Sequence, residues 1–342
     1  MDILKMSNFG KHPYKLCQKS CYIYKLKIVL KELMKLESIF WCNMCKKLMT
    51  NYLHINCIII YVTLKMRIIL HDLTNVSCGD VVKRPSKICK TPYVADIIVG
   101  DMETLGHTPS LGCCGLVESG SSVVMSKVVN AKNKCSHRID LSIYREPAFP
   151  DREIVVGVNP KLGETLVETA LRANCILGLK NIQSYQREVT YLSSRFDFHG
   201  VDESGREFFL EVKSVPLADY VDVPKKERKA ALETVENKKW NEKISYFPDG
   251  YRKNSTDVVS PRALKHVTEL AEIVKTTNIR AILCFVVQRT DVSCFQTSNI
   301  DLVYKRAVKK AFEEGVEIKT IQVDWTKTGV CRFVRNDLPI HL

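Results

Sequence analysis

Apolar and polar positions change period several times along this 342-residue chain. From about Gly79 the apolar positions fall into short β-rich runs: Val81–Lys83, Tyr93–Val99, Ser121–Val129 and Ile139–Tyr144. Turn residues interrupt them at Gly100-Asp101, Gly112–Gly115 and Ser119–Ser122. Several short strands at close spacing predict a small β-barrel over 79–146. A unit of that size needs to pack against something else.

A different pattern follows. Glu153–Val158 reads as one more short strand, and Asn159-Pro160 ends it. Leu162, Leu166, Ala170 and Ala173 then recur at helical spacing, which predicts a helix from about Leu162 to Leu177 with Gly178 as its stop. Three strand-like runs come next: Ser184–Leu192, Arg195–Phe198 and Glu207–Val215. The charged block from Asp222 to Lys243 reads as a solvated insertion. Pro261 opens a second helix, Arg262–Lys275, with Leu264, Val267, Leu270, Ala271 and Val274 on one face. Ile279–Val287 is apolar enough for a buried central strand. Asn299 caps a third helix running to Glu314, Gly315 stops it, and Val316–Val323 is a further strand. Strands joined through helices predict a mixed α/β (α+β) sheet flanked by helices over 151–342.

Within that second region the stretch Tyr191–Leu217 carries the candidate chemistry. Asp197 lies near the end of one predicted strand, and Glu211 and Lys213 lie two apart on the next. Side chains alternate faces along a strand, so Glu211 and Lys213 point the same way. A hairpin turning through Asp202 to Gly205 brings Asp197 alongside them. Two carboxylates can share a hard divalent cation, and a neighbouring lysine can steady a water attacking phosphorus. Glu-x-Lys alone is a weak signal, because it occurs four times: Glu211–Lys213, Glu227–Lys229, Glu236–Lys238 and Glu317–Lys319. Only the first has an acid on an adjacent strand and a helix upstream; otherwise it reads as a surface ion pair.

Charge and cysteine change this picture in places. The formal net charge is +13, but residues 1–75 hold 12 Lys+Arg against 4 Asp+Glu, so +8 of it lies there. Bulk charge is therefore weak support for a nucleic-acid surface on the remainder, and any basic patch has to be local. Residues 1–75 are rich in Lys, Leu, Ile, Tyr, Cys and Met. Tyr24–Leu36 fits a basic amphipathic helix, and Leu53–Leu70 is interrupted by Lys65 and Arg67, which makes it a poor membrane span. This basic stretch is compatible with an organelle-targeting leader, and more simply with an extension of no defined role. Among fourteen cysteines, Cys17, Cys21, Cys42 and Cys45 have spacing compatible with zinc but lack the usual flanking Gly and Pro. The scattered remainder, including Cys175, Cys284 and Cys294, reads as reduced buried thiols of an intracellular protein.

Over roughly residues 80 to 342 the chain resembles the sugar fermentation stimulation protein A family. The resemblance rests on Ser194-Arg195-Phe196-Asp197-Phe198, on Phe209-Leu210-Glu211-Val212-Lys213-Ser214-Val215 and on Tyr246-Phe247-Pro248-Asp249. It continues through Lys265-His266, Val286-Val287-Gln288-Arg289, Gly315-Val316-Glu317-Ile318 and Leu338-Pro339-Ile340. Lys83-Arg84-Pro85, Ala95-Asp96 and His107-Thr108-Pro109 match the family's first domain. The resemblance implies an OB-like barrel followed by a restriction-endonuclease-like domain, association with DNA and a link to sugar-utilisation genes. It makes Asp197 and Glu211 the ligands of Mg²⁺ or Mn²⁺ and Lys213 the group that orients water or offsets phosphate charge. Arg195 and His266 contact phosphate or support the metal shell in this reading, and His266 equally fits a helix residue packed on the sheet. Glu164 stands where the family usually has asparagine; it is a third metal ligand or a surface helix residue. Ser110-Leu111 and Ser86 replace amide-bearing residues of the family's barrel, which puts its ligand contacts in doubt. The segments 222–243 and 250–257 read as insertions around the site.

Two functions follow. One is a metal-dependent phosphodiesterase acting on DNA. The other is a non-catalytic DNA-binding regulator of sugar metabolism, motivated by the barrel and by Lys83, Arg84, Lys87 and Arg138. A carbohydrate site has no support in the sequence, since two of the three tryptophans (Trp41, Trp240, Trp325) fall in extensions or loops. The expected compartment is cytoplasmic or nuclear, with an organelle as the alternative. No membrane partner is expected, and the oligomeric state is left open, a dimer included.

Overall fold

A computed structural model describes residues 68–110, 115–128, 134–248, 250 and 257–342. The four cysteines of the zinc-compatible cluster, Trp41 and the predicted Tyr24–Leu36 helix lie outside the described residues.

Six strands form the first sheet: β2 (Val76–Lys83), β3 (Val94–Val99), β4 (Met102–His107), β5 (Ser122–Lys127), β6 (His137–Arg145) and β7 (Glu153–Gly157). Their order is β4-β3-β2-β5-β6-β7, and β4 also pairs with β6 through Gly106↔His137 and His107↔Arg138. That extra pairing closes five strands into a ring around Val81, Ala95, Ile97, Val123, Met125 and Ile139. Alternation puts these residues inside, and all are buried. Gly79 is needed where β2 crosses β3, since a Cβ there would sit 2.6 Å from the Ile98 carbonyl oxygen.

The second sheet has seven strands in the order β1-β16-β15-β13-β10-β9-β8. They are β1 (Ile69–Asp72), β8 (Ser184–Tyr191), β9 (Ser194–Val201), β10 (Glu207–Val215), β13 (Arg280–Val287), β15 (Glu317–Trp325) and β16 (Val330–Arg335). β10, β13 and β15 are parallel and the other pairings antiparallel, so the sheet is mixed as predicted. Helix α1 (Lys161–Arg172) covers one face with Leu162, Leu166, Val167 and Ala170. Helices α3 (Pro261–Thr276) and α4 (Leu302–Glu313) cover the other with Val267, Leu270, Tyr304 and Val308. After its first residue, Arg280, β13 is entirely apolar and buried on both faces, as a central parallel strand must be.

Several expectations are corrected. Ile69–Asp72, read as part of the extension, is an edge strand on β16. Helix α1 ends at Arg172 rather than Leu177, because Asn174 takes a left-handed φ of 57° and its side chain accepts the Asn181 N–H at 2.7 Å. Asp301, not Asn299, caps α4, its carboxylate accepting the Tyr304 N–H at 3.0 Å. A third, four-stranded sheet was not foreseen: β11 (Ala218–Asp219), β12 (Lys243–Phe247), β14 (Val292–Thr297) and β17 (Ile340–His341), in that order. Its strands are short, and one partner lies at the far C-terminus. Cys294, expected to be buried, is partly exposed on β14.

The charged block is a solvated insertion only in its middle. Helix α2 (Lys225–Glu233) buries no residue. Lys243, by contrast, is 1% exposed. Its ammonium lies 2.5 Å from Glu146 Oε2 and 2.7 Å from Asp291 Oδ2, among the rings of Tyr144, Trp240 and Tyr220. Arg289 holds the same Asp291 through two bonds of 2.6 and 2.7 Å. These paired charges fasten β6 of the first sheet to the strands of the third.

Candidate metal and phosphate site

The site arises where β9 leaves β10. Their antiparallel register runs from Glu207↔Val201 to Leu210↔Phe198 and stops. Beyond it the β9-facing edge of β10 is open from Glu211 to Ser214, while the opposite edge stays paired with β13 through Val215↔Val287. The Val212 N–H, which would have gone to a β9 carbonyl, is instead accepted by Asp197 Oδ2 at 2.7 Å. The turn that sets this register is the predicted one. Asp202 Oδ1 accepts the N–H groups of Ser204 and Arg206 at 2.9 and 3.1 Å, and Gly205 supplies a φ of 84°.

A cleft of about 680 Å³ opens over this edge, between the first turns of α1 and α3. Asp197, Glu211 and Lys213 line it, with Glu164, Arg187 and Arg195, and with Lys161, Ser214 and Arg262, which sequence reasoning had not singled out. Glu211 is 2% exposed. Its Oε1 is bound by the Lys213 ammonium and lies 2.5 Å from His266 Nδ1, without the alignment of a regular hydrogen bond. Its Oε2 is buried and without a hydrogen-bond partner, as is the hydroxyl of Tyr304. Burial of Tyr304, together with the Glu211 charge, raises its hydroxyl pKa well above the ordinary value.

The two acids are driven apart electrostatically. Burial, then the neighbouring Glu211 charge, pushes the Asp197 carboxyl up to about 7, against the pull of the Val212 N–H. Burial acts in the same direction on Glu211, but the Lys213 ammonium and His266 outweigh it and hold that carboxyl below its usual value. Divergent carboxyls in one cleft are a hallmark of functional sites. They also make a place where a cation would relieve repulsion.

The remaining predicted residues are placed as follows. Glu164 lines the cleft, but its Oε2 accepts from Arg187 at 3.1 Å. Arg187 also holds Glu168 at 2.7 Å. Among the described residues no three or more His, Cys, Asp or Glu side chains gather into a metal cluster. Arg195 is exposed at the rim, 3.4 Å from Glu188. His266 is buried behind Glu211, against Phe196, so its position fits support of the acid. Lys83 is exposed at the end of β2, and Lys87 in the turn that follows it. Arg84, next to them, spends its guanidinium on the carbonyls of Pro92 and Ser110, both at 2.8 Å. None of these three lines the cleft. The fourth Glu-x-Lys is a structural pair: Glu317 is held by Arg280 at 2.7 and 3.0 Å and by Lys319 at 3.0 Å.

Residues 161–329 match the family model described as the sugar fermentation stimulation protein RE domain. The chain is 30% identical over 255 residues to the sugar fermentation stimulation protein homolog of Pseudomonas entomophila, covering 73% of this chain and 92% of that one. It is 28% identical over 253 residues to the homolog of Clostridium tetani, covering 73% and 91%. Among solved structures it resembles Pyrococcus furiosus SfsA in complex with Ca²⁺, with a TM-score of 0.61 and 16% identity over 80% of this chain and 100% of that one. The fold is that of the SfsA structure, and the chain belongs to the sugar fermentation stimulation protein (SfsA) family.

Proposed function

We propose that this chain is a divalent-metal-dependent phosphodiesterase acting on DNA, with a restriction-endonuclease-like second region and an OB-like first one. The observation that carries the reading is the pair Asp197 and Glu211, pressed together beside Lys213 on an open strand edge, with Glu211 Oε2 buried and unpaired. An orphaned, buried carboxylate oxygen is costly, and a hard cation that prefers oxygen would satisfy it. The Ca²⁺ held by the Pyrococcus relative supports a divalent ion, and Mg²⁺ or Mn²⁺ is the expected one here.

Asp197 and Glu211 would hold the ion; Glu164 would join them only by giving up Arg187. When bound, such an ion acidifies water and offsets charge on a phosphate. The chain's own groups do the rest. The Lys213 ammonium uses one donor on Glu211 and has others for a phosphate oxygen or an attacking water. His266 keeps Glu211 in place from behind. Lys161, Arg195 and Arg262 give the cleft a positive rim that draws in a phosphodiester backbone.

The test is cleavage of single- and double-stranded DNA and RNA in Mg²⁺ or Mn²⁺, beside Asp197→Ala. Metal-dependent cleavage that disappears in the variant is expected. Equal cleavage by both proteins, or none by either over a broad panel, refutes it. The exposed Lys83 and Lys87 favour a second reading, a DNA-binding regulator without cleavage. It requires salt-sensitive DNA binding that survives Asp197→Ala with no turnover in either protein.

A further inference from the structure

On the edge of β10, next to Lys213, Ser214 is held by a chain of hydrogen bonds that begins far from the site. The Trp325 indole N–H donates to Gln288 Oε1 at 2.7 Å, and Gln288 Nε2 donates to Ser214 Oγ at 3.1 Å. An indole nitrogen can only donate. It therefore fixes which end of the Gln288 amide is oxygen, and the NH₂ end must face Ser214. Because that NH₂ donates into Ser214 Oγ, the hydroxyl's own proton is turned away from Gln288. Ser214 lines the cleft, so the direction left to it is toward the space a ligand would fill.

Packing locks each part of this chain. Gln288 is fully buried and Trp325 nearly so. Gly157 leaves room for them, since a Cβ there would lie 2.3 Å from Gln288 Oε1 and 2.8 Å from Trp325 Nε1. The Gly157 N–H also donates to the Gln288 carbonyl at 3.3 Å, and the Gln288 N–H to that of Val215 at 3.0 Å. On the cleft side, Ser214 Cβ abuts the first turn of α1, 3.3 Å from the position of a Cβ at Gly163, near Lys161. A fixed hydroxyl donor thus opens into the same cleft as the Lys161 and Lys213 ammonium groups, an arrangement suited to an anion.

We propose that Ser214 is a phosphate-contacting residue of the cleft, its hydroxyl aimed by Gln288 and Trp325 acting as positioning residues. The ligand class is a backbone phosphate of a nucleic acid, and the inference rests on the phosphodiesterase reading. Ser214 would donate to a nonbridging phosphate oxygen, while Lys213 and the acid pair face the neighbouring part of the same strand edge.

The test is titration of a fluorescent oligonucleotide in Ca²⁺, with cleavage in Mg²⁺ followed in parallel. Ser214→Ala should bind about tenfold or more weakly, the loss of one hydrogen bond to a charged group, under conditions where urea unfolding shows the variant still fully folded. Gln288→Glu is nearly isosteric, but its carboxylate accepts from both Trp325 and Ser214 and so turns the hydroxyl proton inward. It should weaken binding comparably by itself and cost nothing more in the Ser214→Ala background. Wild-type binding by Ser214→Ala, or fully additive losses in the double variant, overturns the inference and leaves the phosphodiesterase reading standing. Failure of the wild-type protein to bind or cleave any oligonucleotide overturns both. Should Gln288→Glu fail to fold, Trp325→Phe, which removes the indole donor, takes its place in the same cycle.

Discussion

Replacing Asp197 by asparagine should stabilise the metal-free protein at high pH and leave it nearly unchanged at low pH. The Asp197 carboxyl titrates at about 7 against an ordinary 3.8, because it is buried and faces Glu211. At about 1.36 kcal/mol per tenfold change, that difference is worth about 4 kcal/mol. The sign follows from linkage. A raised carboxyl pKa means the folded protein holds the proton that the unfolded chain has released. The stability Asp197 contributes is therefore complete below about pH 4 and drains away as pH climbs through 7. Asparagine cannot ionise, yet its oxygen can still accept the Val212 N–H that Asp197 takes at 2.7 Å. In chelator, urea unfolding from pH 4 to 8.5 should show Asp197→Asn drawing ahead of the wild-type protein by up to about 4 kcal/mol. Saturating Mg²⁺ or Mn²⁺ should narrow that lead, since a ligand at a hundred times its dissociation constant adds about 2.7 kcal/mol to the protein that binds it. A difference that does not vary with pH, or a wild-type protein that is the more stable at pH 8.5 without metal, refutes the reasoning.

Three further outcomes test the framework around the site. Lys243→Met keeps the apolar stem among Tyr144, Trp240 and Tyr220 but leaves the buried Glu146 charge without its ammonium, only the Tyr144 hydroxyl still donating to it; urea unfolding should show a loss of about 3–5 kcal/mol. Arg280→Ala frees Asp202, whose carboxyl burial raises but whose bonds from Ser204 and Arg280 hold well below the usual range. A depressed carboxyl stabilises above its unfolded pKa and loses that contribution as pH falls. The variant should therefore be clearly weaker at pH 7 in chemical unfolding, and the gap should close toward pH 2. Gly157→Ala forces a methyl to 2.3 Å from Gln288 Oε1, so calorimetry should show about 1–3 kcal/mol of lost stability, with weaker oligonucleotide binding if Ser214 is aimed as inferred.

Much of this site is written locally. Asp197, the turn at Asp202–Gly205, and Glu211 and Lys213 all lie within one hairpin, and alternation along β10 makes the last two neighbours. The helices were legible for the same reason, since their apolar faces recur within each segment. Their ends were less so. The stop at Arg172 depends on an asparagine side chain reaching seven residues onward, and the cap of α4 on Asp301, two residues past Asn299, turning its carboxylate to the Tyr304 N–H. The third sheet escaped notice because its strands are short and come from four separate places in the chain.

The sequence by itself determined the order of the three helices and the strands of the seven-stranded sheet between them, the hairpin, the acid pair with its lysine, and the family resemblance, because each of these depends on residues close in the chain. Tertiary structure decided what the pair faces. The open edge exists because β9 pairs with β10 only from Phe198 onward, which a strand pattern does not reveal. His266 and Tyr304 come to lie near Glu211 from helices 55 and 93 residues further along. Gln288 reaches Ser214 across 74 residues and Trp325 across 37. Such contacts follow from how the helices and parallel strands pack around β13, and no periodicity within a single segment encodes them.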